Sequence, residues 1–395
     1  MTAKSTTSIH RKKKHLSNNQ YVIQCMNWFK TALEENAAQL PKIFIDGERY
    51  QPDFPVAPNQ TQVHFTFTNE GSPRAIKYKL NSLEDEGLLT LQQLLPTFPY
   101  LTELRFEFCD LSYDQVVFIH MILQENHQIV RLSLNGNPNR NEFGKKSHHL
   151  LHRSTNLKVY SVQLCKLGPS VCQLFYNELH IPDKYTRNLV SLNLGCNHLG
   201  DVGCAWIAQI LRTNRALQAL NISENGISET GLLGLLEVFS CFKLHLHETF
   251  QKRKLRFKQL MQTHFPSSKT EAFKSSSVSP DKFGFISHDP VNAANQFNHP
   301  FITDSLVKDG QLFCSGNNSL TYLNIAYNGI TRNVLEDLIE KINYQKTHLK
   351  FGGLQRVVFE SQQTFPDLEE EIIKRLSSPN QRTTARISRA KSSLL

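Results

Sequence analysis

Apolar residues recur along this chain in a phrase of eleven positions, with leucine or an equivalent at positions 1, 4, 6 and 11 and asparagine at position 9. The clearest copy places Leu189, Leu192, Leu194, Asn197 and Leu199 in those slots. It returns as Leu217, Leu220, Ile222, Asn225 and Ile227, and again as Leu320, Leu323, Ile325, Asn328 and Ile330. Looser copies read Leu101, Leu104, Phe106, Cys109, Leu111; then Ile129, Leu132, Leu134, Asn137, broken by Asn139; then Leu157, Tyr160, Val162, Cys165, Leu167. Upstream, Ile76, Tyr78, Asn81 and Leu83 fit behind Pro73. Seven copies therefore begin at 73, 101, 129, 157, 189, 217 and 320, most of them 28 residues apart.

Alternation in the middle of the phrase predicts a short strand with every second side chain turned inward. The Asn or Cys at position 9 can hydrogen-bond backbone groups where the chain leaves the strand. The segments between phrases carry helical spacing: Gly203, Ile207, Ala208 and Leu211 recur as Gly231, Leu235, Leu236 and Phe239, with Gly87, Leu91 and Leu95 as a partial third copy. A strand and a helix repeated at this interval predict an α/β solenoid, a horseshoe of parallel concave strands with convex helices. The phrase resembles the leucine-rich repeat L-x-x-L-x-L-x-x-N-x-L, and the period leaves room for a full helix as in the ribonuclease-inhibitor type.

The step from Leu217 to Leu320 is 103 residues, one repeat plus 75, so arithmetic places an insertion there. Its beginning reads as a continuation of the sixth helix, because Leu236, Phe239, Leu246, Phe250, Phe257 and Leu260 keep 3-and-4 spacing, interrupted by Lys243 and Arg253. Such a stripe packs on the solenoid or takes a partner helix. The expected organisation is a disordered basic N-terminus (1–20), an N-terminal cap (21–72), repeats one to six (73–244), a helix extension with a disordered insertion (245–315), a last repeat with a closing cap (316–375) and a disordered basic tail (376–395).

The formal charge of +9 is unevenly placed. Bases and acids nearly balance within the repeats, and the excess lies in Lys4–Lys14, in Lys252, Arg253, Lys254, Arg256 and Lys258, and in Arg375–Lys391. Such runs suit polyanions, including acidic microtubule surfaces, by screened attraction. No aromatics interleave the terminal runs and the repeat region is neutral, which argues against a nucleic-acid reader. The eight cysteines form no C-x-x-C pair and read as buried reduced thiols. With no signal peptide and no apolar run long enough to span a membrane, the expectation is an intracellular, cytoplasmic chain. His148, His149 and His152 lack the Glu of a zincin, and His245, His247 and Glu248 lack a further ligand. No phosphate loop, nucleophile elbow or dinucleotide fingerprint is present, so no catalytic residue, metal or cofactor is expected.

A working surface is therefore sought on the concave face, between the repeat leucines. Its candidates are Lys77, Lys79, Glu103, Arg105, Glu107, Phe108, Arg131, Asn135, Gln163, Asn193, Asn221, Glu224, Tyr322, Asn324 and Tyr327. Exposed Tyr and Arg are favoured interface anchors. Three runs together carry a closer likeness: 188–217 (NLVSLNLGCNHLGDVGCAWIAQILRTNRAL), 243–255 (KLHLHETFQKRKL) before the insertion, and 309–331 (DGQLFCSGNNSLTYLNIAYNGIT) after it. With the entry strand at 42–47 (KIFIDG), their order resembles the leucine-rich repeat-containing protein 71 family. That resemblance implies a non-enzymatic protein-interaction scaffold of ciliated or flagellated cells, with microtubule or axonemal neighbours as partners. The alternative is a regulator of a small GTPase or other enzyme through the concave face, with Arg105 and Arg131 as the candidate charge-stabilising groups.

Overall fold

The computed structural model describes residues 20–36, 38, 41–49, 61–79, 83–138, 147–151, 155–180, 189–264, 299–348 and 352–377. The basic runs at 4–14 and 382–391, Asn81, Asn139, His152, most of the insertion and the C-terminal tail lie outside them.

Every inward leucine position builds one curved layer. The strands are β1 (Lys42–Ile45), β2 (Glu48–Arg49), β3 (Gln62–Phe67), β4 (Pro73–Lys79), β5 (Glu103–Glu107), β6 (Arg131–Ser133), β7 (Val159–Ser161), β8 (Ser191–Asn193), β9 (Ala219–Asn221), β10 (Phe242–Lys243), β11 (Ser305–Lys308), β12 (Gln311–Cys314), β13 (Tyr322–Asn324) and β14 (Arg356–Val358). Eleven of them form one sheet in the order β14-β13-β9-β8-β7-β6-β5-β4-β3-β1-β2. From β4 to β14 all neighbours are parallel and in register: Ile76 faces Leu104, Leu104 faces Leu132, Leu132 faces Tyr160, Tyr160 faces Leu192, Leu192 faces Leu220, Leu220 faces Leu323 and Leu323 faces Val357. All of these side chains are buried. At the N-terminal edge β3 turns antiparallel to β4, and β1 adds to it in parallel.

Helices return the chain along the other side: α1 (Gln20–Glu35), α2 (Asp85–Leu94), α3 (Tyr113–Glu125), α4 (Pro169–Leu179), α5 (Gly200–Thr213), α6 (Glu229–Leu236), α7 (Leu246–His264), α8 (Pro300–Thr303), α9 (Arg332–His348) and α10 (Pro366–Ser377). Helix α3 starts on a reciprocal cap, in which the Ser112 hydroxyl accepts from Gln115 N and the Gln115 side chain accepts from Ser112 N. Gly203 permits close stacking of α4 on α5, since a Cβ there would stand 2.8 Å from Leu199 Cβ and 3.3 Å from Cys172 Sγ. In the third repeat the described return residues include a 3-10 turn, His148–Leu151, which buries Leu150 and Leu151; residues 139–146 lie outside the described ones.

Position 9 supplies the spine. Asn197 Oδ1 accepts from Cys165 N and Leu167 N at 3.0 and 3.1 Å, and its Nδ2 donates to Val162 O and Leu194 O at 2.9 and 2.8 Å. Asn137 and Asn328 repeat that four-way bridge between successive turns. Cys165 instead donates its thiol to Leu134 O at 3.2 Å. All eight cysteines are unpaired with one another, and burial pushes the thiols of Cys109, Cys165, Cys172 and Cys204 up to about 12.

The sixth helix does not continue into the insertion, contrary to the sequence expectation. Helix α6 ends at Leu236, a 3-10 turn (Glu237–Phe239) follows, and β10 then joins the hairpin β11–β12 as a second, three-stranded sheet. Phe242, Leu244, Phe301 and Cys314 form its separate core. Only then does α7 begin. Its Glu248 is buried against α5, accepting a two-pronged pair from Arg212 at 2.6 Å for both contacts. Arg212 also donates to Lys243 O at 2.8 Å and lies 4.0 Å over the Phe242 ring. Leu236 and Phe239 are buried, whereas Leu246, Phe250, Phe257 and Leu260 are exposed, so the single stripe read from spacing is two unrelated faces.

Candidate protein-interaction surface

The concave face splits into a charged half and a polar half. In the charged half, Lys77 pairs with Glu107. Arg105 reaches Glu103 at 2.6 Å and Glu107 at 4.0 Å, and Arg131 reaches Glu103 at 4.0 Å. Three cations and two carboxylates on three adjacent strands are thus paired with one positive charge in excess, and exposed pairs of this kind contribute only about 0.2–1 kcal/mol each. Lys79 lies on the same face beside His64, whose pKa is lowered by burial first and then by Lys77 and Lys79.

In the polar half the asparagines serve their own backbone. Asn193, Asn221 and Asn324 each accept from the N–H two residues ahead, on Gly195, Ser223 and Ala326, all at 3.0 Å. Asn135 accepts from Ser161 Oγ at 2.7 Å and from Gln163 N at 2.9 Å, which ties β6 to β7. Gln163 accepts from Asn193 Nδ2 at 3.3 Å. The Tyr322 ring carries the Arg356 guanidinium at 5.6 Å.

The eighth position of each phrase emerges as one column at the end of the strands. Phe108, Gly136, Leu164, Cys196, Glu224 and Tyr327 all have φ between 54° and 72°, and only one of them is glycine. The left-handed turn aims each N–H at the next repeat: Phe108 N donates to Asn135 O at 2.9 Å, Leu164 N to Gly195 O at 3.2 Å, Cys196 N to Ser223 O at 2.8 Å, Glu224 N to Ala326 O at 2.9 Å and Tyr327 N to Glu360 O at 2.7 Å. Holding a side chain in this conformation costs about 1–2 kcal/mol. Even so, Phe108, Leu164 and Tyr327 stand 46%, 49% and 56% exposed. The Phe108 ring lies across Gly136, where a Cβ would come within 2.4 Å of it. Cys196 donates to Glu224 Oε2 at 3.1 Å, and Tyr327 donates its hydroxyl to Glu360 Oε2 at 2.7 Å, which raises the phenol pKa.

Phe108, Glu224 and Tyr327 are legible in the sequence as outward positions; Leu164, Cys196, Arg356 and Glu360 are not among those it singles out. The signal for Leu164 and Cys196 is their shared register, seven residues after each phrase begins. Among the described residues no group of three or more His, Cys, Asp or Glu is placed to hold a metal. The His148 and His149 rings lie 4.1 Å apart, and the Glu248 carboxylate beside His245 and His247 is held by Arg212. Among the described residues no helix is long and apolar enough to cross a membrane. Asn317, which opens the N-x-S triplet Asn317-Asn318-Ser319, is fully buried.

A family model described as "Leucine Rich repeat" matches residues 186–208, 213–236 and 316–333. The chain is 27% identical to NACHT, LRR and PYD domains-containing protein 5 of Mus musculus over 57% of its own length and 21% of that protein's. It is 42% identical to Protein NLRC5 of Homo sapiens over 20% of its own length and 4% of that protein's. With the ribonuclease inhibitor of Sus scrofa it shares 27% identity over 46% of this chain and 47% of that one. The chain therefore spans under half the length of each of these relatives. The matched segments coincide with β8 through α6 and with β13, within the parallel ladder, and they make this chain an α/β leucine-rich-repeat solenoid.

Proposed function

We propose that the chain is a non-enzymatic protein-interaction scaffold that takes a protein partner on its concave face, along the eighth-position column. The observation that carries this reading is Leu164. It is a bulky apolar residue in a left-handed turn, half exposed, at a position where glycine or asparagine costs less. A partner that buries Leu164 with Phe108 removes the remaining exposed half of each side chain from water, which contributes on the order of 1 kcal/mol per side chain. The paired charges around Glu103 supply a polar rim with a small positive excess. The likeness of the 188–331 region to the leucine-rich repeat-containing protein 71 family supports an axonemal partner in the cilium or flagellum. The reading as a GTPase regulator is weaker, because Arg105 and Arg131 are both engaged with Glu103.

The test places a photocrosslinking residue at 164, or at the convex exposed position 202, in the full chain expressed in ciliated cells. Crosslinks from 164 to a defined protein set, absent from 202 and lost in Phe108→Asp, are expected. The column is not the interface if both positions crosslink alike. Salt-series extraction of the same cells tests the location, since release with the soluble fraction at low salt removes the axonemal part of the reading.

A further inference from the structure

Helix α7 is docked by its polar side and presents its apolar side to solvent. At 100° per residue, Leu246, Phe250, Phe257 and Met261 fall on one stripe, and they are 75%, 58%, 63% and 43% exposed. Glu248, Gln251, Lys252, Leu255 and Gln259 fall on the opposite side and are buried or half-buried. The docked side is held by the Arg212–Glu248 pair and by Gln251 against His299 at 3.4 Å. A surface helix ordinarily does the reverse.

The exposed side is also strongly basic. Arg253, Lys254, Arg256 and Lys258 are all exposed, while the helix's single acid, Glu248, is already neutralised by Arg212. Arg253 stands inside the apolar stripe, between Phe250 and Phe257, with its guanidinium 5.9 Å over the Phe250 ring. A cation at the centre of an apolar stripe is expensive to sink among acyl chains. It is well placed to meet a carboxylate beside an apolar cleft. Apolar anchors at i, i+4, i+11 and i+15, flanked by bases, match the helix-in-groove mode of recognition.

We propose that α7 is a second docking element, which inserts its Leu246–Phe250–Phe257–Met261 stripe into the apolar groove of an acidic protein. Because the other side is fixed to α5 and α8, the partner covers one side of the helix and cannot wrap around it. This site is separate from the concave face and does not rest on the reading proposed for it.

Calcium-loaded calmodulin, whose acidic lobes open an apolar methionine-lined groove, is the probe. Binding to the full chain is followed by titration calorimetry with calcium and again with a calcium chelator, which closes the groove while leaving the acidic charge. The expected result is binding that requires calcium and weakens at least about tenfold in Phe250→Ser/Phe257→Ser, a pair of surface changes that spares the core. Arg253→Glu is expected to weaken it further and to flatten its salt dependence. The proposal is overturned if the chain does not bind the probe, or binds it equally with the chelator present. It is also overturned if the double variant's loss appears instead on phosphatidylserine vesicles, which assigns the stripe to membrane, or in sedimentation as lost self-association, which assigns it to a second copy.

Discussion

At the scale of single residues, the asparagine slot is worth more than the cysteine that sometimes replaces it. Asn197 supplies four hydrogen bonds to groups that have no access to water. Truncation leaves two N–H groups and two carbonyls of adjacent turns to find partners in a dry interior. Cys165 joins its turn to the one before only through a weak thiol, which donates to Gln163 O and Leu134 O, both at 3.2 Å. Urea denaturation is therefore expected to show a loss of about 3 kcal/mol for Asn197→Ala and about 1 kcal/mol for Cys165→Ala. Equal losses would mean that the ladder carries no more than its packing. The slot is legible in the sequence because one residue type recurs at one interval. The left-handed column one position earlier is not, because Phe, Gly, Leu, Cys, Glu and Tyr share no chemistry there, and only the backbone shows that they do the same job.

At the scale of elements, the second sheet is the part that periodicity conceals. Residues 236 to 260 keep helical spacing through β10, yet Phe242 and Lys243 pair with Cys314 and Phe313, about 70 residues later. A local pattern cannot report a partner that distant, and the shift from helix to strand is set by it. The same block carries a pH-sensitive joint. His299 is buried, its Nδ1 accepts from Phe301 N at 3.1 Å to cap α8, and burial, with Arg215 next, lowers its pKa from 6.5 to about 4. Between those two values the unfolded chain binds the proton and the folded one does not, so stability is present above about 6.5 and is lost as pH falls towards about 4. Amide exchange in β10 and β12, corrected for its intrinsic pH dependence, is expected to accelerate over that window while β8 stays protected. His299→Asn, which keeps an acceptor for Phe301 N and removes the titration, is expected to flatten the response. An unchanged response in that variant would move the joint to another group.

At the scale of the whole molecule, a solenoid is held by neighbour-to-neighbour seams, so one seam decides whether it unfolds as a unit. The critical seam lies where β13 meets β9, because these two strands pair in space although the whole insertion separates them along the chain. Asn317 is fully buried at that seam. Its Nδ2 donates to Leu211 O and Asn214 O at 2.8 and 3.0 Å, and its Oδ1 accepts from Ser319 N and Leu320 N, both at 3.0 Å. It therefore fastens the chain that returns from the insertion to the end of α5. Asn214 does the same job one repeat earlier, accepting from Ala216 N and Leu217 N and donating to Leu179 O. At Asn214 the seam is also bridged by a short stretch of chain; at Asn317 the side chain joins it together with three strand pairs and the Asn328 bridge. Asn317→Ala is expected to cost about 2–3 kcal/mol, nearly all of it in the coupling between 316–377 and the repeats before it. Both tryptophans, Trp28 and Trp206, lie on the N-terminal side of the seam. In urea, tryptophan fluorescence and far-UV circular dichroism are expected to coincide for the unaltered chain. In Asn317→Ala the dichroism is expected to begin falling at lower urea while the fluorescence midpoint stays in place. Curves that still coincide in the variant would show that the last repeat does not depend on this residue for its attachment.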